Sequence, residues 1–350
     1  MKMTPAFTIV GILLVFWAST YVAVILPTWT MEETPNENYQ PWNEIQEKGN
    51  QLYVANGCSY CHSQFIRIQD WDIGAERIAQ RGDYVGQQPI ILGTERTGPD
   101  LSQAGGEHND DWHRAHFANP RTTRPLSLMP SWEFLGQGDI EILTAFIQSR
   151  SGLVATQRME RQNHWQPQVF AAYQAGPDAN IRWLHSHVPE VWQRMPNPYP
   201  ATPAAMARGK VTYERYCINC HGSVGDGQGT ATPYFKNSAP PLNFTTLTRN
   251  LVEGRYIGGI LYYQIMNGIT GSAMPYFKKE LESEKIWDVS NYLAVTFVGY
   301  TDADIPPEGI NASFEPLWVN PFVPKAVGNP VLLSPSIATQ PSTQKAEGQP

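Results

Sequence analysis

Cysteine is scarce in this chain: four residues of 350. That is too few for a disulfide scaffold at this length. Charge is also sparse. Asp, Glu, Lys and Arg make up 16% of the residues, and 25 basic side chains face 32 acidic ones. No Lys/Arg cluster stands out, so the footprint of a nucleic-acid binder is missing and no such partner is expected. The stretch Gly222 to Gly229, GSVGDGQG, is rich in glycine but lacks the Gly-Lys-Ser/Thr ending of a phosphate loop. No C-x-x-x-C copper-centre pattern occurs. Mean hydropathy is -0.36, which excludes a chain built only of membrane helices. A hydrophobic content of 41% excludes disorder throughout. The length favours two domains.

One long apolar run is present. Phe7 to Leu26 contains no charge, and a helix of that length covers about 30 Å, the thickness of a bilayer's hydrocarbon core. Trp17, Tyr21 and Trp29 lie within or just after it, as interface residues do. Lys2 precedes the run, while Glu32, Glu33 and Glu37 follow it. This asymmetry puts the N-terminus in the cytoplasm and the rest outside. The run is longer than the core of a cleaved signal peptide, and Ile25-Leu26-Pro27 is a poor cleavage site. Residues 1–31 are therefore expected to be a single transmembrane anchor in the cell membrane, with the remainder on the periplasmic side.

The four cysteines fall in two copies of one motif. Cys58-Ser59-Tyr60-Cys61-His62 and Cys217-Ile218-Asn219-Cys220-His221 are both C-x-x-C-H, the signature of covalent c-type haem attachment. Two thiols three positions apart can form thioethers with one haem, and the following His then lies beneath the iron. A thioredoxin-like pair needs neither the His nor a second copy. A zinc site would have more ligands than it uses. A disulfide within C-x-x-C is strained. Two covalently bound haem c groups are thus expected. The residues before each motif repeat as well: Lys48-Gly49 with Tyr53, and Arg208-Gly209 with Tyr213, both basic-Gly-x-x-x-Tyr. A domain-sized unit is duplicated.

A haem that only moves electrons usually carries Met opposite its His. Met129 in Ser127-Leu128-Met129-Pro130 and Met274 in Ser272-Ala273-Met274-Pro275 follow His62 and His221 on expected loops. Met266 sits in a periodic stretch and reads as core. The iron axial ligands are therefore expected to be His62 with Met129 and His221 with Met274. Amphipathic helices are expected after each Met: Asp139 to Ser149, with Ile140, Leu143 and Ile147 on one face, and Ser283 to Val298, with Ile286, Val289, Leu293 and Phe297.

This order of elements resembles the cytochrome c fold. The resemblance implies an all-α architecture with two cytochrome c-like domains in tandem, at 40–150 and 203–300, a linker at 151–202, and an irregular Pro-rich tail at 301–350. It also implies a Pro beside each proximal His whose carbonyl receives the ring N–H; Pro99 in the first unit and Pro240 or Pro241 in the second are the candidates, with Pro241 preferred. Arg67, Arg96 and Arg121 read as surface or structural arginines, although Arg can pair with haem propionates. His108, His113 and His116 read as part of a packed helix rather than a metal site. The linker, with Trp165, Trp183 and Trp192, is expected to be ordered against a domain or partner. The early tail, with Phe314, Trp318 and Phe322, is expected to lie along a partner, whereas its last fifteen or so residues read as disordered.

The first unit is more specific. The anchor, Gly57 to Gln64, Arg96 to Leu101, Asp111 to His116, Asn119-Pro120-Arg121 and Met129-Pro130 occur in that order. They resemble the membrane-anchored cytochrome c subunit, subunit II, of cbb3-type haem-copper oxidases. That resemblance implies electron transfer to an integral membrane haem-copper subunit that reduces O2, and a cytochrome or copper-protein donor. The chain itself would then not be catalytic. The second haem unit departs from the one-haem pattern of that subunit, which keeps two other readings open: the cytochrome subunit of a NO reductase or another respiratory complex, and a diheme peroxidase. Residues 32–150 carry 17 acidic and 9 basic side chains, residues 203–300 carry 7 and 9. The acidic first unit would suit a basic partner, although a solvated surface is the default.

Overall fold

The computed structural model describes residues 4–30, 33–73, 77–193, 195, 197–199, 201–246 and 258–300. The expected Pro-rich tail at 301–350 lies outside the described residues. Among the described residues there is no strand, and the architecture is all-helical.

The chain opens with helix α1, Pro5–Thr30. Thr4 caps it, its side chain accepting from Phe7 N–H, and Pro5 takes the first helical position, where its missing N–H costs nothing. Its twenty-six residues span about 39 Å, and apolar side chains such as Leu14, Phe16 and Trp17 are exposed all round. Pro27 offers no N–H. The turn before it widens, so that Leu26 N–H reaches Tyr21 O, five residues back.

The first unit is built on α2 (Glu44–Ala55), α3 (Asp110–Ala118) and α4 (Gly136–Ser149). Asn43 and Gln46 form a reciprocal cap at the start of α2. Helix α2 packs across α4 at Gly49. A Cβ there would sit 2.6 Å from Ile142 O and closer still to Phe146 Cβ, so only glycine lets the helices approach this far. The second unit repeats the device with α7 (Pro203–Tyr216) and α9 (Ser283–Leu293), joined by α8 (Gly258–Asn267). A Cβ on Gly209 would lie 2.8 Å from Tyr292 Cβ. The Tyr of each repeat is buried and ties its helix to the motif loop. Tyr53 Oη donates to His62 O at 3.1 Å and Tyr213 Oη to Gly222 O at 2.6 Å. The repeated basic-Gly-x-x-x-Tyr thus encodes a helix crossing and a tether. Cores form beside each crossing: Tyr53, Phe117, Leu143 and Phe146 in the first unit, and Tyr262, Met266, Ile286 and Trp287 in the second. Helix α9 continues as a wide turn through Val298, so the expected Ser283 to Val298 segment is helical throughout.

The stretch between the units is largely helical. Helix α5 (Gly152–Gln174) follows α4 after a two-residue link, through Ser151 at φ 90°, and α6 (Pro177–Ser186) comes next. Along α5, Arg158 donates to Gln103 O and Gly105 O, and Gln162 to Gly106 O, in the first unit. Farther on, Gln166 donates to Asn237 O in the second. Trp165 meets Trp183 edge-on, Trp183 stacks on His187, and Trp192 is buried against Tyr262. Helix α5 is a strap lying on both units.

Candidate functional site

In the first unit Gly57, at φ 70°, turns the chain out of α2 into a tight helical turn at Cys58–Tyr60. His62 N–H then closes on Cys58 O at 3.0 Å. The imidazole Nδ1 faces Pro99 O at 2.8 Å, the arrangement expected of a Pro beside the proximal His. Gly98 lies flat against the ring: a Cβ there would come within 2.7 Å of Nδ1 and 2.8 Å of Nε2. Asp100 ties the loop down, accepting from Ser63 Oγ at 2.5 Å, Phe65 N at 2.9 Å and Ser102 N at 2.8 Å. Arg96 is spent on Ser63 Oγ, Phe65 O and Asp70, and Arg67 on Asp70. Both are structural arginines, and Asp70 between them falls well below the usual carboxylate range. Met129 and Cys58 pack on the same core, beside Trp132.

The second unit gathers its motif around one open cavity. Cys217, Cys220, His221, Met274 and Leu242 line it. Pro240 and Pro241 line it too, but the carbonyl facing His221 Nδ1, at 3.1 Å, is that of Leu242. The preferred Pro241 is one residue short: it lines the cavity, and the carbonyl that turns to the ring belongs to the residue after it. Phe244 stacks on the His221 ring at 4.5 Å. The glycine stretch wraps the motif, with Gly222, Gly225 and Gly227 all at positive φ, Gly227 N–H on His221 O and Gly229 N–H on Cys220 O. Helix α6 and its strap add Val169, Asn180 and Leu184 to the cavity wall, a contribution no local pattern announces.

The two methionines are presented alike. Met129 N–H donates to Ser127 Oγ and Met274 N–H to Ser272 Oγ, each at 3.1 Å. Ser-x-Met-Pro is therefore a short hydroxyl turn that fixes the Met backbone before the proline. Met266 is buried in the core, as its period suggested.

Burial keeps the polar groups neutral. It lowers the His62 imidazole against the opposing pull of Pro99 O and Asp100, and it takes His221 down to about 4 against that of Leu242 O. A neutral imidazole donating through Nδ1 keeps the Nε2 lone pair for a metal. Burial raises the thiols of Cys58 to about 11 and of Cys217 and Cys220 to about 12. None of the four cysteines is bridged. His108, His113 and His116 stack on and around Trp112, and among the described residues no metal-holding cluster of His, Cys, Asp and Glu occurs.

The units also meet. Asp111 accepts from the N–H groups of Lys236, Asn237 and Ser238 at 3.0, 2.9 and 2.6 Å. Lys279 pairs with Glu107 and Arg124 with Glu280, each at 2.8 Å. Sequence reasoning did not find this seam.

Residues 1–175 match the family described as cytochrome c oxidase, mono-heme subunit/FixO. Residues 204–293 match cytochrome c oxidase, cbb3-type, subunit III. No curated protein matches the chain. Among solved structures, a chain of the Kuenenia stuttgartiensis reducing HAO-like protein complex Kustc0457/Kustc0458 is similar at 18% identity. The match covers 74% of this chain and 97% of that one, with a TM-score of 0.25.

Proposed function

The chain belongs to the FixO family, the mono-haem subunit of cytochrome c oxidase, and on that premise we propose that it carries two covalent haem c groups and passes electrons to the catalytic subunit that reduces O2. Membership makes it a single-anchored cytochrome c subunit of a cbb3-type oxidase, working in electron transfer beside a membrane haem-copper partner. The second haem, the axial residues, the donor and the periplasmic placement are parts of the proposal.

The residues fit the group. Trp132 Nε1 is buried without a partner among the described residues, a donor suited to a propionate oxygen. The second cavity is mostly apolar and lined by both cysteines and the His of one C-x-x-C-H and by one Met. Cys58 and Cys61 would hold one haem and Cys217 and Cys220 the other, through thioethers. His62 with Met129 and His221 with Met274 would take the axial positions. The bound haem iron supplies one-electron redox chemistry. The Pro99 and Leu242 carbonyls orient the two imidazoles and raise their basicity. Ser127 and Ser272 hold the methionine turns, and the surrounding apolar side chains exclude water. With a His and a Met held for each iron, the chain would leave no position for a substrate and would do no bond chemistry of its own. Helix α1 keeps the first unit near the membrane and its partner.

The observation that carries this reading is the same constellation built twice: motif, imidazole-orienting carbonyl, Ser-turned Met. The test is mild detergent purification with a pyridine haemochrome assay, intact mass, and identification of partner chains. Two haems per chain and a co-purifying haem-copper subunit are expected. One haem or none overturns the two-haem reading, and a partner with non-haem iron in place of copper overturns the oxidase reading.

A further inference from the structure

The second haem site is walled in part by the first unit. Trp112, Thr122 and Thr123 line its cavity together with Cys217, Cys220, His221 and Met274. Within the second attachment motif, Asn219 donates through Nδ2 to Arg121 O at 3.0 Å. The two motifs consequently differ in exposure. Tyr60 is 80% exposed and Cys61 is exposed, whereas no residue from Cys217 to His221 is.

The same wall reaches the first site from its other side. Phe117 sits in the core that Cys58, Met129 and Trp132 pack against, and its carbonyl receives Trp132 N–H at 2.9 Å. Between the two lies a stack of rings. Trp112 and His116 are 4.7 Å apart and 9° from parallel, and His116 Nδ1 meets Thr123 Oγ1 at 2.7 Å. The seam around the stack is fixed on several sides, by Asp111 on three backbone N–H groups, by Asn109 on Ser238 Oγ, and by the pairs Glu107–Lys279 and Arg124–Glu280.

We propose that the segment from Trp112 to Thr123 is the conduit between the two haem sites, so that the second site exchanges electrons through the first unit and not through its own attachment edge. The proposal rests on the two-haem reading above. The step is a single electron passing from a ferrous site to a ferric one; no bond forms and no proton moves. The open edge at Tyr60 and Cys61 is then where the pair meets its outside redox partner.

The test uses the full chain in detergent, with haem content measured first. Lys279→Glu places a negative charge against Glu107, and Glu280→Lys a positive one against Arg124. The double variant loosens the seam, which Asp111 and α5 still span, without touching an attachment cysteine or an axial residue. Amide exchange at Lys236, Asn237 and Ser238 reports docking whatever the haem does. Redistribution of one photo-injected electron, followed by absorbance and freeze-quenched spin resonance, reports transfer between the haems. In the double variant those amides lose protection and the transfer rate falls by about tenfold or more, equivalent to about 1.4 kcal/mol on the barrier, with haem content unchanged. Trp112→Leu lowers the rate while the amides stay protected, and Trp112→Phe restores it in part. An unchanged rate in a double variant whose amides have lost protection, or in Trp112→Leu, overturns the conduit. Unprotected amides in the parent chain overturn it as well. A single haem per chain overturns the two-haem reading beneath it, a result told apart by the haem count alone.

Discussion

Two glycines of the first unit make the same substitution carry opposite signs. Gly138 lies in α4 with nothing within 4 Å of where a Cβ would be. Gly138→Ala removes backbone freedom from the unfolded chain and is expected to stabilise by about 0.5–1 kcal/mol. Gly49 lies at the crossing of α2 and α4, and the same methyl group would meet Ile142 O at 2.6 Å and the Cβ of Phe146. Neither atom can rotate away, since one is backbone and the other the root of a side chain. The helices must separate, and overpacking of this kind costs about 1–3 kcal/mol or more. Because two atoms are struck, we place the clash at the upper end; against a propensity gain of about 1 kcal/mol, a net loss of about 2 kcal/mol follows. For a unit of this size that is a fall of about 10 °C in Tm. Thermal unfolding of the haem-loaded chain, followed by haem absorbance and circular dichroism, reads both variants. Equal shifts, or a Gly49→Ala that matches the parent, would refute the close crossing.

Further outcomes follow from the same contacts. Tyr213→Phe deletes the 2.6 Å hydrogen bond to Gly222 O and should destabilise the second unit by about 1 kcal/mol in denaturant unfolding; Tyr53→Phe, losing a 3.1 Å bond, should cost less. Burial pushes Asp111 up, but the N–H groups of Lys236, Asn237 and Ser238 outweigh it and leave the carboxylate below its ordinary range. Glu141 is lowered too, chiefly by Arg114. Groups with depressed values add stability that is complete above about pH 4–5 and is lost as acid protonates the folded form. Amide protection at 236–238 should therefore fall below pH 4, and Asp111→Asn should flatten that dependence. Deleting residues 1–31 should move the chain from the membrane to the soluble fraction with its haem content intact, as measured by fractionation and haemochrome assay.

What could be read from the sequence was whatever recurs at fixed spacing. C-x-x-C-H, Ser-x-Met-Pro and the uncharged run each compress a function into a few adjacent residues, and the helices from Gly136 and Ser283 follow an apolar period. The carbonyl on His221 was misplaced by one residue because a Pro-Pro pair does not say which of three successive carbonyls turns inward. Asp111 was read only as part of the family pattern; its role was not legible because its three donors lie more than a hundred residues away. Gly98 was read as part of a family pattern, and only its contact with the imidazole gives the reason for it. The acidic balance of the first unit was read by default as a solvated surface, with a basic donor as the alternative. Some of that acid serves the seam within the chain, since Glu107 and Glu141 meet Lys279 and Lys236.

The character of that seam explains why the strap is needed. A carboxylate gripping three backbone N–H groups fixes position closely, yet exposed or half-exposed ion pairs such as Lys236–Glu141 add at most about 1 kcal/mol each. Polar contacts of this kind set register more than they supply affinity. Two free units would hold such a register only weakly. Helix α5 changes the balance by lying on both, through Arg158 and Gln162 on one side and Gln166 on the other, which makes docking intramolecular and raises the effective concentration to the millimolar range or above. The tether thus supplies proximity and Asp111 supplies alignment. Replacing α5 with a flexible Gly/Ser segment of equal length should therefore weaken amide protection at 236–238 while both units stay folded. Loss of folding in the second unit as well would mean that Val169, on the same helix, matters more as cavity wall than the helix does as a strap.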